Sequence, residues 1–140
     1  MNRTKLTEYI LNNYITTEEN PWLDSPDFSV FRHPSNKKWF ALIMPVFAGR
    51  LGLDLGRDVD LINLKCEPFM IDEIVDNKTI FRAYHMNKTH WLSVYIDKTD
   101  ENKLKMLIDI SFELTDAKKS LRLNGGKNKR RKTANPDGGL

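Results

Sequence analysis

The sequence predicts an α+β fold of two layers, a mostly antiparallel sheet with helices packed on one face. Three observations predict it. Apolar residues at helical spacing occupy both ends of the chain, β-rich runs lie between them, and one short stretch opened by Pro68 interrupts those runs. With 140 residues, 40% hydrophobic and 29% charged, the chain has the size and composition of a single globular core.

The first helix is expected from about Thr4 to Tyr14, where Leu6, Ile10 and Tyr14 share a face with Tyr9 beside them and Thr4 is placed to cap. Residues 16–27, TTEENPWLDSPD, read as loop, since their acids, prolines and small polar residues break either regular pattern. FSVFRH (28–33) and KWFALIMPV (38–46) are strands of a hairpin, with HPSNKK as its polar turn. VDLINLKC (59–66) is a third strand, with Val59, Leu61 and Asn63 alternating. The intervening FAGRLGLDLGRD invites comparison with a phosphate-cradling loop. It lacks the Gly-Lys-Ser/Thr ending and leads into a strand, so it reads as a flexible connection.

Pro68 suits the first turn of a short helix, EPFMIDEIVDN, because its missing N–H costs nothing there. Ile71, Ile74 and Val75 would face the core, with Asp72, Glu73 and Asp76 in water. WLSVYID (91–97) is a fourth strand, with Trp91, Ser93 and Tyr95 on one side and Leu92, Val94 and Ile96 on the other. The last helix begins near Thr99 or Asp100, and Leu104, Leu107, Ile108, Ser111, Phe112 and Thr115 mark its buried face. Regular structure should fade near Leu121. The expected organisation is a domain over 1–121 and a disordered basic tail over 122–140.

Charge is divided unevenly. Residues 1–116 hold 14 Lys+Arg and 18 Asp+Glu, a net of −4, whereas residues 117–140 hold eight basic residues and one acid, a net of +7. The basic character therefore belongs to the tail. No apolar run approaches the roughly 20 residues of a membrane span, and the N-terminus lacks a signal peptide's apolar centre. A cytoplasmic protein without membrane association is expected. Cys66 is the one cysteine, which rules out an internal disulfide framework and a multi-cysteine zinc site.

INLKCEP (62–68), followed by AYHMNKTHWLSVYID (83–97), closely resembles the MmcQ/YjbR family; KWFALIM (38–44) and LIDISFEL (107–114) fall in that family's order. The resemblance covers about residues 4–120 and matches at Asn63, Lys65, Cys66, Pro68, Tyr84, His85, Met86, Asn87, Lys88, His90 and Trp91. It implies a compact fold similar to the bacterial frataxin homologues. It also implies a DNA-binding protein with a double-wing motif, and brings no catalytic residues and no cofactor.

YHMNKTHW (84–91) concentrates the candidate chemistry. A metal would draw on Cys66, His85 and His90, but neither a helical His-x-x-x-His nor a cysteine pair is present, so no metal is expected. A hydrolase would need Cys66 activated by a histidine, with Lys65 and His85 lowering its pKa; a lone cysteine at a strand end is more often a small apolar filler. In the structural reading Trp91, Tyr84 and Met86 pack beneath the loop while Asn87 holds a left-handed turn. For binding, Arg32, Lys37, Lys38, Arg50, Arg57, Lys65, Asn87 and Lys88 are the candidates for duplex DNA, carried on two projecting loops. Lys127, Lys129, Arg130, Arg131 and Lys132 would add about five phosphate contacts from the tail. The alternative is a small anionic ligand, or a protein, in a pocket formed by Lys65, Tyr84, His85, Asn87 and His90.

Overall fold

Asn2, rather than Thr4, caps the first helix. Its backbone is extended and its Oδ1 accepts from the Lys5 N–H at 2.9 Å, meeting one of the donors a helix start leaves open. The computed structural model describes residues 1–117, so the end of the expected domain at 118–121 and the tail expected over 122–140 lie outside the described residues. In chain order the elements are α1 (Arg3–Asn13), β1 (Glu18–Glu19), β2 (Ser29–Arg32), β3 (Trp39–Phe47), β4 (Asp58–Lys65), α2 (Pro68–Ile74), β5 (Ile80–Arg82), β6 (Trp91–Tyr95) and α3 (Glu101–Thr115). One open sheet runs β1-β2-β3-β4-β6-β5, antiparallel throughout.

β1 and β5 form the two edges and depart from the expected order. They have two and three residues, too few for an apolar alternation to be read, and they exist by pairing with β2 and β6. α3 starts where expected: Asp100 accepts from the Lys103 N–H at 3.0 Å. Its buried residues are Leu104, Leu107, Ile108, Ser111, Phe112 and Thr115, as the spacing predicts.

Helices cover one face of the sheet. Leu6 and Ile10 of α1, Ile71 of α2, and Leu104, Leu107, Ile108 and Phe112 of α3 pack with Phe31, Ile43, Ile62, Leu64 and Val94. Loops cover the other: Trp22, Phe28, Leu51, Leu53, Tyr84 and Met86 lie over Val30, Leu42, Met44, Leu61 and Tyr95. The stretches 16–27 and 47–58, read from sequence as connections, therefore help close a second hydrophobic cluster, and Tyr84 and Met86 pack beneath their loop as expected.

Two irregularities shape one end of the sheet. Pairing of β2 with β3 shifts from Phe31 opposite Ala41 to Arg32 opposite Trp39, leaving Phe40 as the extra residue of a bulge. Phe40 and Ala41 both enter the helix-side cluster, and Trp39 goes to the loop side. Beyond the last β3–β4 pair, Leu42 opposite Asn63, the Ser111 hydroxyl stands between the strands. It accepts from the Lys65 N–H at 2.9 Å and donates to the Phe40 carbonyl at 2.6 Å, so α3 satisfies backbone groups where the strands part.

Candidate functional site

At this parted end lies a groove of about 310 Å³, lined by Lys37, Lys38, Trp39, Lys65, Met86, Trp91 and Thr115. Lys37 and Lys38 come from the β2–β3 hairpin, whose tip is fixed by Asn36. Its Oδ1 accepts from the Lys38 N–H at 2.8 Å and its Nδ2 donates to the Thr115 carbonyl at 2.9 Å, tying the hairpin to the end of α3. Lys37 itself is left-handed, with φ 66°. Lys65 stands opposite Trp91 across β4 and β6. Among the described residues, none of these three lysines forms an ion pair.

The other DNA candidates do not line this groove and hold structure together. Arg32 Nε donates to both Glu19 carboxylate oxygens at 3.0 Å, and its guanidinium lies 5.9 Å from the Trp39 ring centre. Arg50 donates to the Tyr84 hydroxyl at 3.0 Å, and Arg57 reaches the Tyr95 hydroxyl at 3.4 Å. Lys88 Nζ donates to the Ala83 carbonyl at 2.7 Å. These partners are remote in sequence or main-chain atoms, and side-chain type alone does not disclose them.

YHMNKTHW is anchored from below. Asn63 Nδ2 donates to the Tyr84 carbonyl at 2.8 Å, Ser93 Oγ accepts from the Tyr84 N–H at 2.9 Å, and Ser93 Oγ donates to Asn63 Oδ1 at 2.5 Å. Asn87 Oδ1 accepts from the N–H groups of Thr89 and His90 at 2.8 and 3.2 Å. The left-handed residue of this loop is His85, with φ 68°, rather than Asn87. A side chain that hydrogen-bonds two residues onward shapes the turn without its own backbone leaving negative φ. His85's ring centre lies 4.3 Å from that of Tyr84 and 6.4 Å from that of Phe28.

Of the five residues expected to form a pocket, Lys65 alone lines the groove. Tyr84 turns its hydroxyl to Arg50, Asn87 shapes its turn, and His90 is exposed. Cys66 is buried in the helix-side cluster, and burial pushes its thiol pKa up, away from the reactive thiolate. No group of three or more His, Cys, Asp or Glu able to hold a metal occurs among the described residues. Trp39 is the lining residue that sequence reasoning passes over. Its signal is the Lys-Lys-Trp run at the hairpin's exit, but the bulge is what sends it to the loop side, where it lines the groove with Lys65.

The YjbR family model matches residues 11–114, which include the strands, the anchored loop and every groove-lining residue but Thr115. The chain belongs to the YjbR family. The resemblance read from INLKCEP and AYHMNKTHWLSVYID is thus borne out. Among YjbR relatives, the uncharacterised protein YyaQ of Bacillus subtilis (strain 168) is 39% identical over 116 residues, covering 82% of this chain and 98% of YyaQ. A Pseudomonas syringae protein solved by crystallography is 38% identical with a TM-score of 0.80, over 83% of this chain and all of that one. Deinococcus radiodurans DR2400, a DUF419 domain, shares the fold at a TM-score of 0.65 and 23% identity, over 89% of this chain and 88% of that one. No helix among the described residues is long and apolar enough to cross a membrane.

Proposed function

We propose that this YjbR protein is a small, non-enzymatic DNA-binding protein that grips phosphate with Lys37, Lys38 and Lys65. What supports the reading is the convergence of these lysines on one groove without an acidic partner among the described residues. An unpaired ammonium keeps its charge for a ligand. Arg32 would first have to give up both oxygens of Glu19. The net charge of −4 over residues 1–116 makes the attraction local, and the five cations between Lys127 and Lys132 would reinforce it. In this reading Arg50, Arg57 and Lys88 keep the loops in shape, and YHMNKTHW borders the contact face. A second reading, a small anionic ligand in the same groove, is favoured by the apolar walls that Trp39, Met86 and Trp91 provide.

The test is fluorescence anisotropy of a labelled duplex with the full chain, across a salt series, beside the Lys37→Gln/Lys65→Gln variant. Each phosphate contact contributes about −0.9 to the slope of log affinity against log salt, so losing two should flatten it by about 1.8. DNA binding unchanged in that variant, for duplex and single strand alike, overturns the reading. A thermal shift with inorganic phosphate or a mononucleotide, lost in the variant without any duplex binding, would favour the small-ligand reading instead.

A further inference from the structure

We infer that the groove takes unpaired nucleotides, with phosphates on Lys37, Lys38 and Lys65 and a base against the indoles of Trp39 and Trp91. This rests on the DNA-binding reading and specifies which form of nucleic acid the site accepts.

The placement of the tryptophans carries the inference. Neither indole is fully buried, although both begin strands of a sheet whose two faces are otherwise closed. Trp39 is sent to the loop face by the β3 bulge and is braced by Trp22, edge to face at 5.7 Å between ring centres. The backbone of Trp91 closes the loop, its main-chain N–H donating to the Asn87 carbonyl at 3.0 Å. Two half-buried indoles beside three lysines without ion pairs are the combination that binds single strands, where bases stack on aromatic rings while cations follow the backbone. A duplex keeps its base faces inside its own stack and would offer neither indole a base to stack on.

Size and charge point the same way. A groove of about 310 Å³ has room for a base and its phosphate. Duplex binding also wants cations spread along the backbone. Three cations outside the groove are engaged within the protein: Arg32 by Glu19, Arg82 by Asp72 at 2.9 Å, and Lys88 by the Ala83 carbonyl. Met86 adds an adaptable apolar wall that tolerates bases of different shape. The recognition is therefore of an exposed base and its phosphates, with little demand on sequence.

The experiment compares a labelled oligo-thymidine with a duplex of equal length, using the full chain in both cases so that the basic tail contributes to each. The expected result is single-strand binding at least about tenfold tighter, with tryptophan fluorescence quenched by the single strand and not by the duplex. Trp91→Phe preserves packing and should weaken the single strand severalfold and reduce the quenching. Quenching in the unaltered chain keeps the test valid if that variant folds poorly. Equal or tighter duplex binding, or single-strand binding without quenching, overturns this inference. If the duplex also loses affinity in Lys37→Gln/Lys65→Gln, the DNA-binding reading survives that loss. Absence of lysine-dependent binding to either nucleic acid overturns both.

Discussion

Asn63 and Ser93 meet across β4 and β6, and between them they satisfy both backbone polar groups of Tyr84. Both side chains are buried, so the start of YHMNKTHW hangs on a polar pair beneath it. Asn63→Ala would strand the Tyr84 carbonyl and remove Ser93's acceptor. We predict a loss of about 2 kcal/mol in denaturant unfolding, with a smaller loss for Ser93→Ala. An Asn63→Ala variant as stable as the unaltered protein would show that the pair does not anchor the loop.

Lys37 sets function against stability. At φ 66° it occupies a conformation that costs a side-chain-bearing residue about 1 kcal/mol, and glycine relieves that cost. Lys37→Gly should therefore leave stability unchanged or raise it by about 0.5 kcal/mol while reducing nucleic-acid affinity. Lys37→Gln should reduce affinity without the gain. Thermal melts and anisotropy on the same two variants check both halves.

Asp76 makes the turn into β5 sensitive to acid. Burial would push its pKa up, but hydrogen bonds from the N–H groups of Ile80, Thr79 and Lys78 and from the Thr79 hydroxyl prevail and hold it well below the usual carboxylate range. A depressed folded pKa stabilises fully above the unfolded value near 3.9, and that contribution is lost as pH falls below it. Asp76→Asn should destabilise at neutral pH, and the difference in melting temperature should narrow at about pH 3. A gap that is constant with pH would refute this account.

Cys66 should be inert in the folded protein. It is buried, its pKa is raised by burial, and its N–H is committed to the His90 carbonyl at 2.9 Å. A thiol reagent should react slowly under native conditions and rapidly in denaturant. Fast native modification would mean that this strand end opens readily.

Much of the fold was legible because its longer elements carry periodicity. The buried face of α3 could be read directly from spacing. β1 and β5 could not, since two- and three-residue strands hold no pattern of their own and depend on their neighbours. The site was less legible for a related reason. Lys37, Lys38 and Lys65 could be named, but their meeting depends on the β3–β4 register and on Ser111 entering where those strands part. Nor does the sequence distinguish a lysine without an ion pair from Arg32, whose carboxylate partner lies on another strand.

The edges of the sheet have a consequence for behaviour at high concentration. A foreign strand arriving at β1 would find two rungs, both borne by glutamates, and one arriving at β5 would find three, ending at an arginine already paired with Asp72. Neither border offers enough template to seed growth into fibrils, and extension of the sheet from molecule to molecule is checked at both ends.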